Sequence, residues 1–360
     1  MQNKLLLVLL LSIISIQVCY TQTDSIPPKR SRLIRLPIVF LSPETSWGFG
    51  VAGVYTFKLP EESDISRPSQ IQLGAAYTLE DQILFYLPFQ VFYKDRKYNF
   101  YGELGYYRYN YFYFGNGNSF EDYDGELFGV TFPRVRLNAL YQIRPNTYLG
   151  LRYWMDDYDI TEVEEMGVLD TENITGQDGG FLSGLGLLAQ YDNRDHIFYP
   201  RKGWFAEGVI LQNGSFLGSP FNFTKVSLDV SKYISIRRTI LALNAYWEWN
   251  EGDIPFNQFA LLGGTKRLRG FYEGRFREEK LALFQSEWRF PLFWRLGAVV
   301  FGGLGWVAPE INEVQLRHTR YSVGAGLRIL IQKQDQINVR IDFGLGPNTT
   351  GVYITVGEAF

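Results

Sequence analysis

The sequence predicts an all-β fold, a transmembrane antiparallel β-barrel of about sixteen strands, and three observations lead there. Apolar and polar side chains alternate with period two along most of the chain, the signature of strands whose successive residues face opposite sides. Past the first twenty residues there is no apolar run of about 18, so no conventional helix can span a bilayer and any crossing falls to strands. Aromatic residues make up 17% of the 360, and they gather near predicted strand ends, as at Tyr106, Tyr107, Tyr109 and Tyr111 to Phe114, where amphipathic rings favour the headgroup level.

Composition narrows the field further. A chain that is 20% charged and 17% aromatic is neither disordered nor a helical membrane bundle. With 35 Lys+Arg against 38 Asp+Glu, no nucleic-acid partner is indicated. A soluble sandwich would share the alternation, with its apolar side buried. Strands of about 9–12 residues match the length needed to cross hydrocarbon at a tilt. The polar face, rich in Gly and in Lys225, Asp229, Glu287, Arg289, Arg340 and Asp342, suits a lumen better than a sandwich exterior.

Taken in order, residues 1–21 read as a signal peptide: Lys4 precedes an apolar centre at 5–14, and Cys19-Tyr20-Thr21 ends in small residues, which sets cleavage before Gln22. Lipid attachment at Cys19 is the alternative, and Val18 is too large for that processing. Cleavage leaves a cysteine-free chain, so burial and ladder hydrogen bonds must hold the fold without disulfides. Residues 22–32 form a short periplasmic segment and 33–360 the barrel. The alternating segments are 33–41, 46–58, 70–80, 83–93, 97–108, 128–143, 147–156, 181–191, 203–213, 221–235, 239–249, 280–290, 296–307, 320–331, 336–345 and 351–360. In 46–58, Trp47, Phe49, Val51, Tyr55 and Phe57 share one face; in 336–345, Asn338, Arg340 and Asp342 oppose Ile337, Val339, Ile341 and Phe343. An even, closed set leaves both ends on one side and no unpaired edge in lipid. The long connections 109–127, 156–180 and 250–279 then lie on the opposite, outer side.

Residues 261–276, LLGGTKRLRGFYEGRF, followed by a strand with Glu287 and Phe290-Pro291, resemble the signature of the bacterial surface antigen superfamily, the BamA/TamA type of outer-membrane barrel. Tyr191-Asp192-Asn193-Arg194, Pro200 to Gly203, 114–118 and Phe360 extend the resemblance over nearly the whole chain past residue 21. It implies that the long loop folds into the lumen and that Arg269, beside Gly270 and Phe271, is held by the wall acid Glu287 as a structural lock. Relatives often carry a second acid where this chain has Gly303, so the clamp rests on Glu287 alone or recruits Asp342. A terminal aromatic, Phe360, is similar to the C-terminal insertion signal of such barrels, with Glu358 where a further aromatic is usual. The segment before residue 33 is too short for the periplasmic POTRA domains of relatives.

Catalytic chemistry is nearly missing from the sequence. His196 and His318 fall on connections, no Walker loop or Gly-x-Ser-x-Gly motif occurs, and there is no Cys/His metal cluster. Loop 156–180 holds nine acids without Lys or Arg, a solvated face whose spacing matches no calcium loop. No enzyme and no cofactor is therefore expected. Two functions remain: assembly or translocation of outer-membrane proteins, and a passive channel or structural outer-membrane protein. The partners implied are outer-membrane lipid and, for the first function, unfolded outer-membrane proteins or a separate periplasmic partner.

Overall fold

The computed structural model describes residues 31–42, 46–60, 62–63, 66–117, 124–310, 313, 315–333 and 336–360. The expected signal peptide, 1–21, lies outside them. The expected periplasmic segment, 22–32, does too, except that Ser31 and Arg32 already belong to the first strand.

Among the described residues, eighteen strands follow in chain order: β1 Ser31–Ser42, β2 Ser46–Phe57, β3 Ser69–Thr78, β4 Ile83–Tyr93, β5 Tyr98–Tyr113, β6 Glu126–Arg144, β7 Thr147–Glu162, β8 Gly179–Asp192 and β9 Gly203–Asn213. They continue as β10 Phe223–Ile236, β11 Thr239–Gly252, β12 Ala260–Leu262, β13 Phe276–Glu278, β14 Lys280–Pro291, β15 Leu296–Ala308, β16 Arg320–Gln332, β17 Ile337–Gly346 and β18 Thr349–Val356. Sixteen of them form one sheet, each antiparallel to its sequence neighbours, with β11 joined to β14. β12 and β13 pair separately, within the connection between β11 and β14.

The alternation becomes two surfaces. Phe49, Val51, Leu187, Ile210, Val300 and Val352 are among many large apolar side chains exposed on the outside, a belt far larger than a soluble monomer displays. Thr56, Asn244, Gln285, Arg289, Arg340 and Asp342 are buried toward the interior. The protein is a transmembrane antiparallel barrel with lipid as the solvent of its apolar face.

Three strands are longer than the rest. β5, β6 and β7 have 16, 19 and 16 residues, against the roughly 9–11 that a bilayer requires. The β6–β7 turn is only two residues, 145–146, so the excess projects at the opposite, outer end. This corrects the reading of Tyr111 to Phe114 as headgroup aromatics. Tyr113 and Phe114 are buried, and Tyr113, Phe128 and Phe132 join Phe256 in an apolar cluster near the outer end. Phe112 and Phe114 each lie 5.6 Å from the ring of Tyr272. These rings pack against inserted chain, which removes them from water more completely than a headgroup layer would.

The last strand is also corrected. The segment 351–360 does not run straight with Glu358 and Phe360 beside Val352, Ile354 and Val356. β18 stops at Val356, and Gly357 takes a φ of 89°, a left-handed angle that glycine adopts without strain. Residues 357–360 turn into the lumen, where Glu358 meets Arg328 at 2.7 Å and the main-chain oxygen of Phe360 accepts from Arg289 at 3.1 Å.

Candidate functional site

The site begins with a loop that must turn back on itself. Between β11 and β14, β12 and β13 form a short hairpin whose Leu262 and Phe276 pack with Leu268, Phe271, Leu281, Leu283 and Val307, so burial of apolar surface draws the loop inward. Gly270 has a φ of 124°, and a Cβ there would come 3.1 Å from the backbone of Leu345 on β17. Facing it, Gly344 brings the β17 wall so near that its own Cβ would lie 2.7 Å from the main chain of Arg269 and Gly270. Two glycines therefore let backbone meet backbone. The Gly270 N–H donates to Tyr353 Oη at 2.9 Å, the Tyr353 hydroxyl donates to the Phe271 carbonyl at 3.0 Å, and Thr349 Oγ1 donates to the Gly270 carbonyl at 3.0 Å.

This docking delivers Arg269 to the wall. Its guanidinium lies 2.5 Å from Glu287 Oε1 on β14, an ion pair by distance but without aligned hydrogen-bond geometry, and donates to Asp342 on β17. It also stacks on Phe301 at 3.7 Å from the ring centre. The side chain of Arg269 is 1% exposed and those of Glu287 and Asp342 are 0% exposed, so the pairing is dry. Gly303 is where relatives often carry an acid; a Cβ there would meet Leu268 at 3.1 Å, and Asp342 supplies the second carboxylate instead.

The surroundings are denser in charge than the two expected partners. Arg289 binds Glu287 at 2.7 Å, Arg328 binds Asp342 at 2.5 Å and Glu358 at 2.7 Å, and Arg340 lies 3.6 Å from Asp342 while donating to the Thr265 carbonyl at 2.8 Å. Four guanidiniums, of Arg269, Arg289, Arg328 and Arg340, thus face three carboxylates, of Glu287, Asp342 and Glu358. Sequence reasoning missed Arg328 and gave Glu358 no partner. Parity could have found Arg328, since Leu327 faces outward beside it, but the turn at Gly357 that carries Glu358 inward has no period-two signal.

Farther from the loop tip, other pairs run along the lumen wall between adjacent or next-adjacent strands: Arg134 to Asp156 at 3.2 Å, Arg152 to Glu207 at 2.9 Å and Lys225 to Glu248 at 2.8 Å. Asp192, in the Tyr191-to-Arg194 motif, receives Arg194 at 3.0 Å and Arg67 at 2.5 Å, which ties the β2–β3 connection to β8. His196 accepts the Phe198 and Tyr199 N–H groups at 3.2 and 3.4 Å through Nδ1, as a turn residue does. Burial, with Glu358 adding, raises the Tyr199 phenol above its ordinary pKa, so it remains a neutral donor. The acids of loop 156–180 form no group of three or more metal-ligating side chains among the described residues.

Solved structures with a similar fold include BamA from Haemophilus ducreyi lacking POTRA domains 1-3, at 14% identity and a TM-score of 0.56, covering 91% of this chain and 69% of that one. CdiB from Escherichia coli is similar at 12% identity and a TM-score of 0.54, covering 91% of this chain and 61% of that one. CdiB from Acinetobacter baumannii matches at 11% identity and a TM-score of 0.53, covering 88% and 56%. The chain therefore spans less than two thirds of either CdiB chain, and at these identities the likeness is one of fold. No curated protein matches the sequence. The family model described as the Omp85 superfamily domain matches residues 71–360, which include the inserted loop, Glu287 and Asp342, and the chain belongs to the Omp85 superfamily.

Proposed function

We propose that this outer-membrane barrel assembles or translocates other outer-membrane proteins by parting its wall between β1 and β18, while Arg269, Gly270, Phe271 and Glu287 lock the inserted loop to the strands that stay together. The observation that carries this reading is a cavity of about 480 Å³ at the junction of the two sheet ends. It is lined by Pro37 and Val54 from one end, Ile354 and Thr355 from the other, and Thr265 from the loop. Ile354 is exposed on the outer face whereas Val54 is buried toward the lumen, so the gap spans the wall.

The edges are poor partners. Pro37 has no N–H to donate, and β18 has 8 residues against 12 in β1. The tip of the loop is held through Glu287 on β14, Phe301 on β15, Asp342 on β17 and Tyr353 on β18, while its flanks meet β5, where Tyr272 Oη accepts from the Phe112 N–H and Arg277 donates to the Phe112 carbonyl. Separation of β1 from β18 would leave those bonds intact. A passive open channel is the weaker reading, because the inserted loop and its apolar clusters fill much of the lumen.

The test is a Pro37→Cys/Ile354→Cys pair. Loss of the gene should lower particular outer-membrane proteins measured by quantitative mass spectrometry, and oxidising the pair should reproduce that profile until reductant is added. An unchanged profile after gene loss would reject the assembly reading in favour of a channel or structural role.

A further inference from the structure

We infer that the rim of the barrel on the side of β18's end is a docking site for an acidic polypeptide segment of a separate partner. The inference does not depend on whether the wall parts. The described residues of the connections 58–68, 94–97, 145–146, 193–202, 237–238, 292–295 and 333–336 lie on this side and carry twelve Lys or Arg against three Asp or Glu. The described residues of the connections at the other end, 79–82, 114–125, 163–178, 214–222, 253–279, 309–319 and 347–348, carry six against fourteen. A chain that is nearly neutral as a whole is thus polarised end to end, and a field of this kind steers a partner of opposite sign.

Within the positive rim is a cavity of about 400 Å³ lined by Arg201, Arg238, Arg295, Arg328, Lys333 and Trp294 among others, and none of its described lining residues is acidic. Asp335, in the same turn as Lys333, lies outside the described residues. One lining guanidinium is incompletely satisfied: Arg295 Nε is buried without a hydrogen-bond partner, whereas Arg328 Nη2 faces Glu287 Oε1 at 3.8 Å. A buried N–H left unpaired is costly, so Arg295 favours an acceptor, and a carboxylate is the acceptor that also answers the charge. Arg328 belongs to the cluster around Arg269, where it meets Asp342 and Glu358.

The chain itself shows what this surface binds. Glu358 places its carboxylate between Arg328 Nε at 2.7 Å and Asn338 Nδ2 at 2.9 Å, and Phe360 sets its main-chain oxygen on Arg289 at 3.1 Å with its ring 5.9 Å away. Arg328 and Asn338 also line the cavity, so the internal peptide and the empty space share a wall. Trp294, 81% exposed, and Phe293 beside it add an apolar contact at the edge. Lipid phosphate fits less well, because Ile240, Arg328 and Asn338 in the lining are buried on the lumen side.

The test uses the purified barrel in detergent and a fluorescein-labelled peptide of alternating Glu and Ala with one central Phe, followed by anisotropy. The acidic peptide should bind and its Gln counterpart should not. Arg238→Glu with Lys333→Glu should weaken binding by about tenfold or more, and added salt should weaken it in the unaltered protein. If that double variant fails to fold, Arg201→Glu with Trp294→Ser replaces it under the same criterion. Equal binding of the Gln peptide, or unchanged binding by the folded variant, overturns the proposal. So does displacement of the peptide by inorganic phosphate or phosphatidylglycerol vesicles more readily than by unlabelled acidic peptide, which would make the rim a phosphate site.

Discussion

Arg269 illustrates how burial changes the worth of a charge. In a water-filled lumen its pairing with Glu287 would contribute about 0–1 kcal/mol, as exposed ion pairs do. With all three side chains of the Arg269, Glu287 and Asp342 group at 0–1% exposure, removing the cation takes one charged partner from each carboxylate in a dry site, leaving Arg289 on Glu287 and Arg328 on Asp342. Arg269→Ala should therefore destabilise the docked loop by about 1.5–3 kcal/mol, the scale of a hydrogen bond to a charged group. The measurement is urea-dependent loss of heat-modifiable gel migration, together with protease resistance of the loop; unchanged behaviour in both would remove the lock from the account. Arg269→Lys should rescue only in part, since an ammonium cannot reach Glu287, Asp342 and the Phe301 ring at once with the planar fork that guanidinium offers.

At the scale of elements, the inserted loop depends on β17 and β18 for backbone access as much as for charge. Gly344 is the sensitive point, because a methyl group there would sit 2.7 Å from the main chain of Arg269 and Gly270, and backbone cannot yield as a flexible side chain does. Gly344→Ala should keep a folded barrel yet expose residues 253–279 to limited proteolysis. If the loop stayed as resistant as before, the close approach would not be what holds it. The β12–β13 hairpin and its cluster of Leu262, Leu268, Phe271 and Phe276 bring the loop into the lumen, while the glycine pair decides where it stops.

For the whole molecule, strand parity, long outer strands and charge polarity agree on one orientation. Met166, 86% exposed in the β7–β8 connection, and Arg237, in the two-residue β10–β11 turn, occupy opposite ends. Met166→Cys should react with a membrane-impermeant maleimide on intact cells, and Arg237→Cys only after the outer membrane is permeabilised. Labelling in the reverse pattern would invert the barrel, and with it the assignment of the positive rim to the periplasm. Short periplasmic turns and longer outer connections are the ordinary arrangement of such barrels.

The alternation along segments such as 46–58, 70–80 and 336–345 determined by itself the number of wall strands, their order and which face meets lipid, though not the β12–β13 pair inside, because each strand's side chains have only two directions and one of them must suit hydrocarbon. The same parity pointed Glu287, Arg289, Arg340 and Asp342 inward. It did not reach the partners of those residues. That Asp342 joins Glu287 on Arg269, that Leu268 covers Gly303, that Tyr113 and Phe114 pack with inserted chain, and that residues 357–360 turn into the lumen were decided by the tertiary structure alone. Those contacts join residues far apart in the chain or follow a single left-handed glycine, and a repeating pattern of side chains carries no record of either.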